Sequence, residues 1–236
     1  MSLRKILLFS AVLIISVAIG FSSVNKSISI ESGEKTGESL SSVNGSISIG
    51  DNVIVNGSLT NVNGSIRTGE DCEIKDHVRN VNGSIRLGDN STAKRIKSVN
   101  GSIRAGKGVK IEEMIDSVNG SIKCETGTTI GEGIDTVNGS ITLYGTKVRG
   151  GLITYNGHIK LKENSVINKD IIIKKSKSNF INRILGKKRK VLRIRLSGNS
   201  VIKGDIINKD ESREVVLEMG EGCRVEGKLV NVSKEN

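Results

Sequence analysis

Apolar residues recur along this chain in a fixed relation to one short unit, Val-Asn-Gly-Ser-Ile. Its asparagine stands at Asn44, Asn63, Asn82, Asn100, Asn119 and Asn138, with looser copies around Asn25 and Asn156, in steps of 18 or 19 residues. A period of that size carried by β-forming residues predicts a solenoid in which each repeat is one coil. Within a unit Val62, Gly64, Ile66 and Thr68 alternate with Asn63, Ser65 and Arg67, and the next unit repeats this as Val81, Gly83, Ile85 and Leu87. Period two predicts a strand with Val, Gly and Ile turned inward. A second apolar cluster follows in each repeat, as Cys72, Ile74 and Val78, then Val109, Ile111 and Ile115, then Val148 and Leu152. Each coil therefore has at least two strand faces, and Gly69-Glu70-Asp71 and Gly88-Asp89-Asn90 supply the bends between them.

Asn-Gly between apolar residues is also a hairpin signal, so an antiparallel meander competes with the solenoid. A hairpin turn at each Asn-Gly would interrupt the alternation that runs from Val62 to Ile66, which favours the solenoid. Stacking then brings Asn44, Asn63, Asn82, Asn100, Asn119, Asn138 and Asn156 into register as a hydrogen-bonded ladder along the axis. The Asn-Gly-Ser triplets also match a glycosylation sequon, read here as a by-product of the repeat. The expected fold is all-β, a single-stranded β-solenoid (β-helix) of about ten coils, ~50 Å long at ~4.8 Å per coil.

Five segments follow from the pattern. Residues 1–20 open with Arg4 and Lys5 and continue as an uncharged apolar run, a secretory signal either removed near Gly20 or kept as an N-terminal anchor. Residues 21–40 are a polar lead-in with a first degenerate repeat, and 41–175 hold the regular repeats. Residues 176–190 interrupt the β pattern with a basic inserted loop whose Phe180, Ile181, Ile184 and Leu185 have helix-like spacing before Lys187, Lys188, Arg189 and Lys190. Residues 191–236 return to solenoid coils and end in a polar tail. After Asn156 a second motif takes over in Leu161 to Ile171, Leu196 to Ile206 and Met219 to Leu229, which end alike, with Val201-Ile202-Lys203-Gly204-Asp205-Ile206 showing a Gly-Asp-apolar corner.

These segments, with the repeats upstream, resemble the bactofilins and other polymer-forming cytoskeletal proteins of bacteria. The resemblance covers Val43 to Val230 and implies a β-helix that assembles end to end. Bactofilins are shorter, usually cytoplasmic and without a cleavable leader, so the apolar segment 1–20 is a departure from the family and makes an exported, periplasmic or cell-envelope relative the expectation. The Val-Asn-Gly-Ser-Ile units are also similar to the repeats of bacterial β-solenoid adhesins.

Composition narrows the chemistry. The chain has no Pro or Trp, 2% aromatic residues and 28 Gly, so its core must be a thin one of Ile and Val. The net charge is +11, and part of it is ordered by the repeat: Arg67, Arg86, Arg104 and Lys123 fall at the same outward position on four successive coils. That column and Lys187 to Lys190 are the candidate binding residues for a polyanion, either an acidic envelope polymer or an anionic membrane surface. Glu70, Asp71, Asp89 and Glu125 are close enough in sequence to neutralise the column from within. Nucleic acid is disfavoured by the lack of interleaved aromatic residues.

No catalytic constellation, cofactor motif or metal-ligand spacing is present. Asp51, Asp71 and Asp89 track a corner, and His77 and His158 fall more than four coils apart. Cys72, Cys124 and Cys223 lie at apolar positions of different coils and read as buried structural thiols. The expected function is that of a non-enzymatic structural or scaffolding protein, self-associating, or alternatively a polyanion-binding surface or adhesin module.

Overall fold

The computed structural model describes residues 21–175 and 191–235. The leader and the basic insertion, with Lys187, Lys188, Arg189 and Lys190, lie outside the described residues. Strands are short and every pairing among them is parallel, which excludes the meander and gives an all-β solenoid of about 10 turns. Three strands make up most coils. The first face is an 11-stranded sheet that includes Ile47–Ile49, Ile66–Thr68, Ile85–Leu87, Ile103–Ala105, Ile122–Cys124, Ile141–Tyr144 and Ile159–Lys162. The second face is built from two-residue strands such as Ile54–Val55 and Lys110–Ile111, and the third from longer ones such as Leu59–Asn63 and Met114–Asn119. In two coils the second and third strands run on as one, Glu73–Asn82 and Thr92–Asn100, which joins those faces into a single 19-stranded sheet.

The first face contributes two inward columns and the other two faces one apolar column each, and together they fill the interior. Ile47, Ile66, Ile85, Ile103, Ile122, Ile141, Ile159 and Ile194 stack on the first face, and Val55, Ile74, Ala93, Ile111 and Ile130 on the second. Leu59, Val78, Ile96, Ile115, Ile134 and Leu152 stack on the third, and all these residues are buried. Burial of each such side chain is worth about 1.5–3 kcal/mol, and β-branched residues suit a narrow space between pleated walls. Cys124 occupies the inward column of Leu87 and Ala105, and burial pushes its thiol up to about 12.

The inward assignment of Val and Gly in the repeat unit is corrected. The third-face strand Leu59–Asn63 buries Leu59 and Asn61 and turns Thr60 and Val62 outward. The chain then bends at Gly64-Ser65, the phase resets, and Ile66 and Thr68 point in. Val62, Val81, Val99, Val118 and Val137 thus form a half-buried outer column, and the buried position before each is polar: Asn61, Asn80, Ser98, Ser117 and Thr136. For the first four the reason is the corner carbonyl, which these side chains meet from within, whereas the Thr136 hydroxyl has no such bond. Asn80 Nδ2 donates to Gly64 O at 2.8 Å, Ser98 Oγ to Gly101 O at 3.1 Å and Ser117 Oγ to Gly120 O at 3.3 Å. Glycine is required because the coils approach closely. A Cβ on Gly83, whose φ is 133°, would lie 2.1 Å from Gly64 O, and one on Gly120 2.0 Å from Gly101 O.

The corner after the first face follows a different rule. Asn52, Asp71, Asn90, Gly108 and Gly127 hold φ values of 56°, 54°, 55°, 65° and 83°, a region that Asn, Asp and Gly tolerate. Asp51 and Asp89 each accept the backbone N–H of the next coil, from Glu70 and Lys107, at 2.8 Å. The buried hydroxyls of Ser91 and Thr128 bond corner carbonyls at 3.2 and 2.9 Å, and the Cys72 thiol lies 3.0 Å from Gly50 O in the same role.

The C-terminal segments stack in the expected register, Leu161 on Leu196 on Met219 and Ile171 on Ile206 on Leu229. The insertion falls between Ile171–Ile173 and Leu192–Leu196 and leaves the pairing of Ile159 with Ile194 undisturbed. The final coil is thinner: Arg224 stands over Val201, and Leu229 and Val230 are 37% and 41% exposed.

Candidate functional site

Two outer columns border the corner between the third and first faces. The first is made by the asparagines of the repeat. Asn44 Nδ2 donates to Asn25 Oδ1 at 3.0 Å, and the same bond recurs from Asn63, Asn82, Asn100, Asn119 and Asn138 to the asparagine one coil below at 2.9–3.0 Å. Asn156 closes the run by donating to Asn138 Oδ1 at 2.6 Å. All of these side chains are exposed. The last acceptor, Asn156 Oδ1, takes a bond from Arg213 Nη2 at 2.8 Å, while Arg213 Nη1 holds Tyr155 O at 2.8 Å. No local pattern in the sequence singles out Arg213, which is 57 residues away.

The second column lies on the first face. Its parallel register places Ser29, Ser48, Arg67, Arg86, Arg104, Lys123, Thr142, Lys160, Arg195, Glu218 and Glu235 in one line. Arg67, Arg86 and Arg104 are exposed, and among the described residues none of them has an ion-pair or hydrogen-bond partner. Of the acidic residues expected to neutralise the column, Glu125 does so, pairing with Lys123 at 2.7 Å. Asp89 caps the next coil's backbone, Asp71 forms the left-handed corner, and Glu70 is exposed with no ion pair to the three arginines among the described residues. Lys123 also lies 4.9 Å from the Tyr144 ring centre, with Lys162 on the same ring at 5.2 Å.

Two flanking positions differ along the face. Ser65, Ser84, Ser102 and Ser121 stand beside the basic column on the ladder side, where His158 and Arg193 follow in the C-terminal coils. On the other side Gly69, Gly88 and Gly106 give way to Glu125, Tyr144 and Lys162. The N-terminal part is thus a strip of amide, hydroxyl, guanidinium and bare backbone. The C-terminal part is a groove of about 630 Å³ lined by Lys160, Lys162, Arg193, Arg195 and Glu218. There Glu218 bridges Arg195 and Arg193, the latter at 2.8 Å, and the Arg195 hydrogen bond holds the Glu218 carboxyl below its usual range.

His77 and His158 are not brought together. His77 contacts Asp76 on the Glu73–Asn82 strand, and His158 Nδ1 accepts the Arg193 N–H at 3.0 Å beside the first face. Burial, then the charges of Arg195, Arg193, Lys160 and Arg213, keep His158 below the ordinary imidazole range. Among the described residues no group of three His, Cys, Asp or Glu could hold a metal ion. What the face can do is bind: a guanidinium is a fixed, always charged fork of donors suited to carboxylate or phosphate oxygens.

Comparison with protein-family models, with curated proteins and with solved structures finds no match for this chain. The parallel β-solenoid is therefore what stands of the bactofilin and adhesin resemblance.

Proposed function

We propose that this chain is a non-enzymatic scaffold of the bacterial cell envelope, an exported relative of the bactofilin-like solenoids, that holds an anionic polymer against its first face. The observation that carries the reading is the stack of Arg67, Arg86 and Arg104, none of which forms an ion pair among the described residues. Like charges on adjacent strands repel and cost stability, and an external anion with several charges relieves all three at once. Replacing the three together by Ser tests it. The variant should bind heparin or polyphosphate several-fold more weakly and with a flatter salt dependence. Unchanged binding refutes the reading.

A second reading, end-to-end self-association, is favoured by the last coil. Leu229 and Val230 are exposed there, and Leu229–Val230 and Ser233–Glu235 each pair on one side only among the described residues. Open strand edges beside apolar side chains invite further pairing. Salt-tolerant filaments in negative stain are expected under it, and a monodisperse monomer at high concentration in sedimentation counts against it.

A further inference from the structure

We infer that the polymer held by the basic column is a linear glycan bearing carboxylates, a polyuronate, laid along the solenoid axis across Arg67, Arg86 and Arg104. This rests on the polyanion reading above and narrows it.

Direction and spacing favour a chain over a compact anion. Arg67 pairs with Arg86 and Arg86 with Arg104 on consecutive parallel strands, so the guanidinium groups repeat once per coil, at ~4.8 Å, in a straight line. That interval is about the rise of one pyranose unit of an extended glycan, so a polyuronate brings one carboxylate per coil along the axis, with successive carboxylates turned to different sides of the chain. A ligand with one compact charge meets one arginine, whereas a chain lying along the axis meets all three.

The groups that flank the charges favour a hydroxylated chain. A hydroxylated ring needs donors and acceptors beside its carboxylate, and both are present on the ladder side. Ser102 is exposed, and Ser65 and Ser84 are half-exposed with their hydroxyls 3.1 Å apart. Beyond them each ladder amide of Asn63, Asn82 and Asn100 uses one N–H and one oxygen lone pair within the ladder. Each keeps a second N–H and a second lone pair turned to solvent. On the opposite flank Gly69, Gly88 and Gly106 are half-buried and carry no side chain, the place of a Cβ being taken by Asp51, Gly69 O and Asp89 of the coil before.

The large apolar side chains exposed among the described residues are Val24, Leu229 and Val230, and none belongs to these coils. Insertion into a bilayer therefore has no anchor on this strip. Tyr144 and Tyr155 lie in later coils, so no base-stacking platform accompanies the arginines.

The experiment uses the purified full chain and three probes: polygalacturonate, its fully methyl-esterified form, and polyphosphate matched in charge. Affinity is measured for the parent, for Arg67→Ser/Arg86→Ser/Arg104→Ser and for Ser65→Ala/Ser84→Ala/Ser102→Ala, with circular dichroism to confirm that each variant keeps its β-structure. Polygalacturonate should bind about tenfold more tightly than polyphosphate, and the ester form should not bind. The serine variant should lose several-fold in polygalacturonate affinity and none in polyphosphate affinity, whereas the arginine variant should lose both. Equal binding of the two polyanions, or a serine variant that binds polygalacturonate as the parent does, overturns the glycan inference and leaves the polyanion reading standing. If neither polyanion binds, both fall. Binding of phosphatidylglycerol vesicles without binding of polygalacturonate also overturns the glycan inference.

Discussion

The N-terminal and C-terminal halves of the first face pack the same inward column under different corner rules. In the N-terminal half the strands are three residues long and begin after a Gly-Ser bend, as in Ile66–Thr68 and Ile85–Leu87. In the last coils the strands Leu192–Leu196 and Val215–Met219 have five residues, and buried Leu192 and Val215 stand where Gly157 stands one coil earlier. The glycine corner and the asparagine ladder disappear together, because the ladder residue sits on the strand that leads into that bend. Charge follows the same division: the N-terminal arginines are left unpaired, and the C-terminal ones are tied to Glu218. The lesson is that the strict repeat brings identical groups into register and thereby prevents self-neutralisation. Departure from the repeat is what admits an acid between two bases.

The sharpest way to break the comparison is to exchange sizes at the two kinds of corner. Gly101→Val places a Cβ that would fall 1.8 Å from Gly83 O, and should cost about 3 kcal/mol or more. In the C-terminal half the sign of the size effect reverses: Leu192→Ala, a truncation, should cost about 2–5 kcal/mol. Urea melts of both variants measure this, and a tolerated Gly101→Val would mean the corner can open.

Next in size is a pH effect at the join of the halves. Burial, opposed by Lys174 and reinforced by Asp116, raises the Asp135 carboxyl from 3.8 to about 6. The folded state therefore favours the protonated form, so stability is greatest below pH 4 on this account and is lost as pH rises through 6. The loss amounts to up to about 3 kcal/mol at neutral pH. Asp135→Asn should be the more stable protein at pH 7 and lose its advantage at pH 4, as read by thermal melts at the two values.

A smaller change is expected for Asn82→Ala, which removes two exposed ladder bonds and should cost about 1 kcal/mol. The least effect on stability, and a gain in binding, is expected from Glu218→Gln. Freeing Arg193 and Arg195 should raise polyphosphate affinity by two- to tenfold, about 0.4–1.4 kcal/mol. This would give the C-terminal half the character of the N-terminal one. No gain would show that the pairing is not what distinguishes them.

How much of this was legible in the sequence follows from range. The period alone placed Asn44 to Asn156 in one column and Arg67 to Lys123 in another, because equal steps in a solenoid are equal positions. The orientation of Val62 was not legible, since Val-x-Gly-x-Ile alternates across the bend just as a continuous strand would. The second face was missed as a separate one because strands of two residues, such as Ile54–Val55, are too short to show a period. The buried Asn61 and Asn80 run against the usual exposure of Asn and are explained only by the corner carbonyls they meet. The Arg195–Glu218 pair, 23 residues apart, and the Arg213 contact with Asn156 emerge only once the coils beyond the insertion are in register.

The asparagine ladder also has polarity. Every amide donates toward the N-terminal end, so the small dipoles of the side chains add along the axis much as peptide dipoles add along a helix. One end offers an N–H at Asn25 and the other an oxygen at Asn156, and it is at the oxygen end that the Arg213 cation sits. Inserting or deleting a whole repeat would lengthen or shorten this array without altering either terminus, so coil number can change while the electrostatic character of the two ends stays fixed.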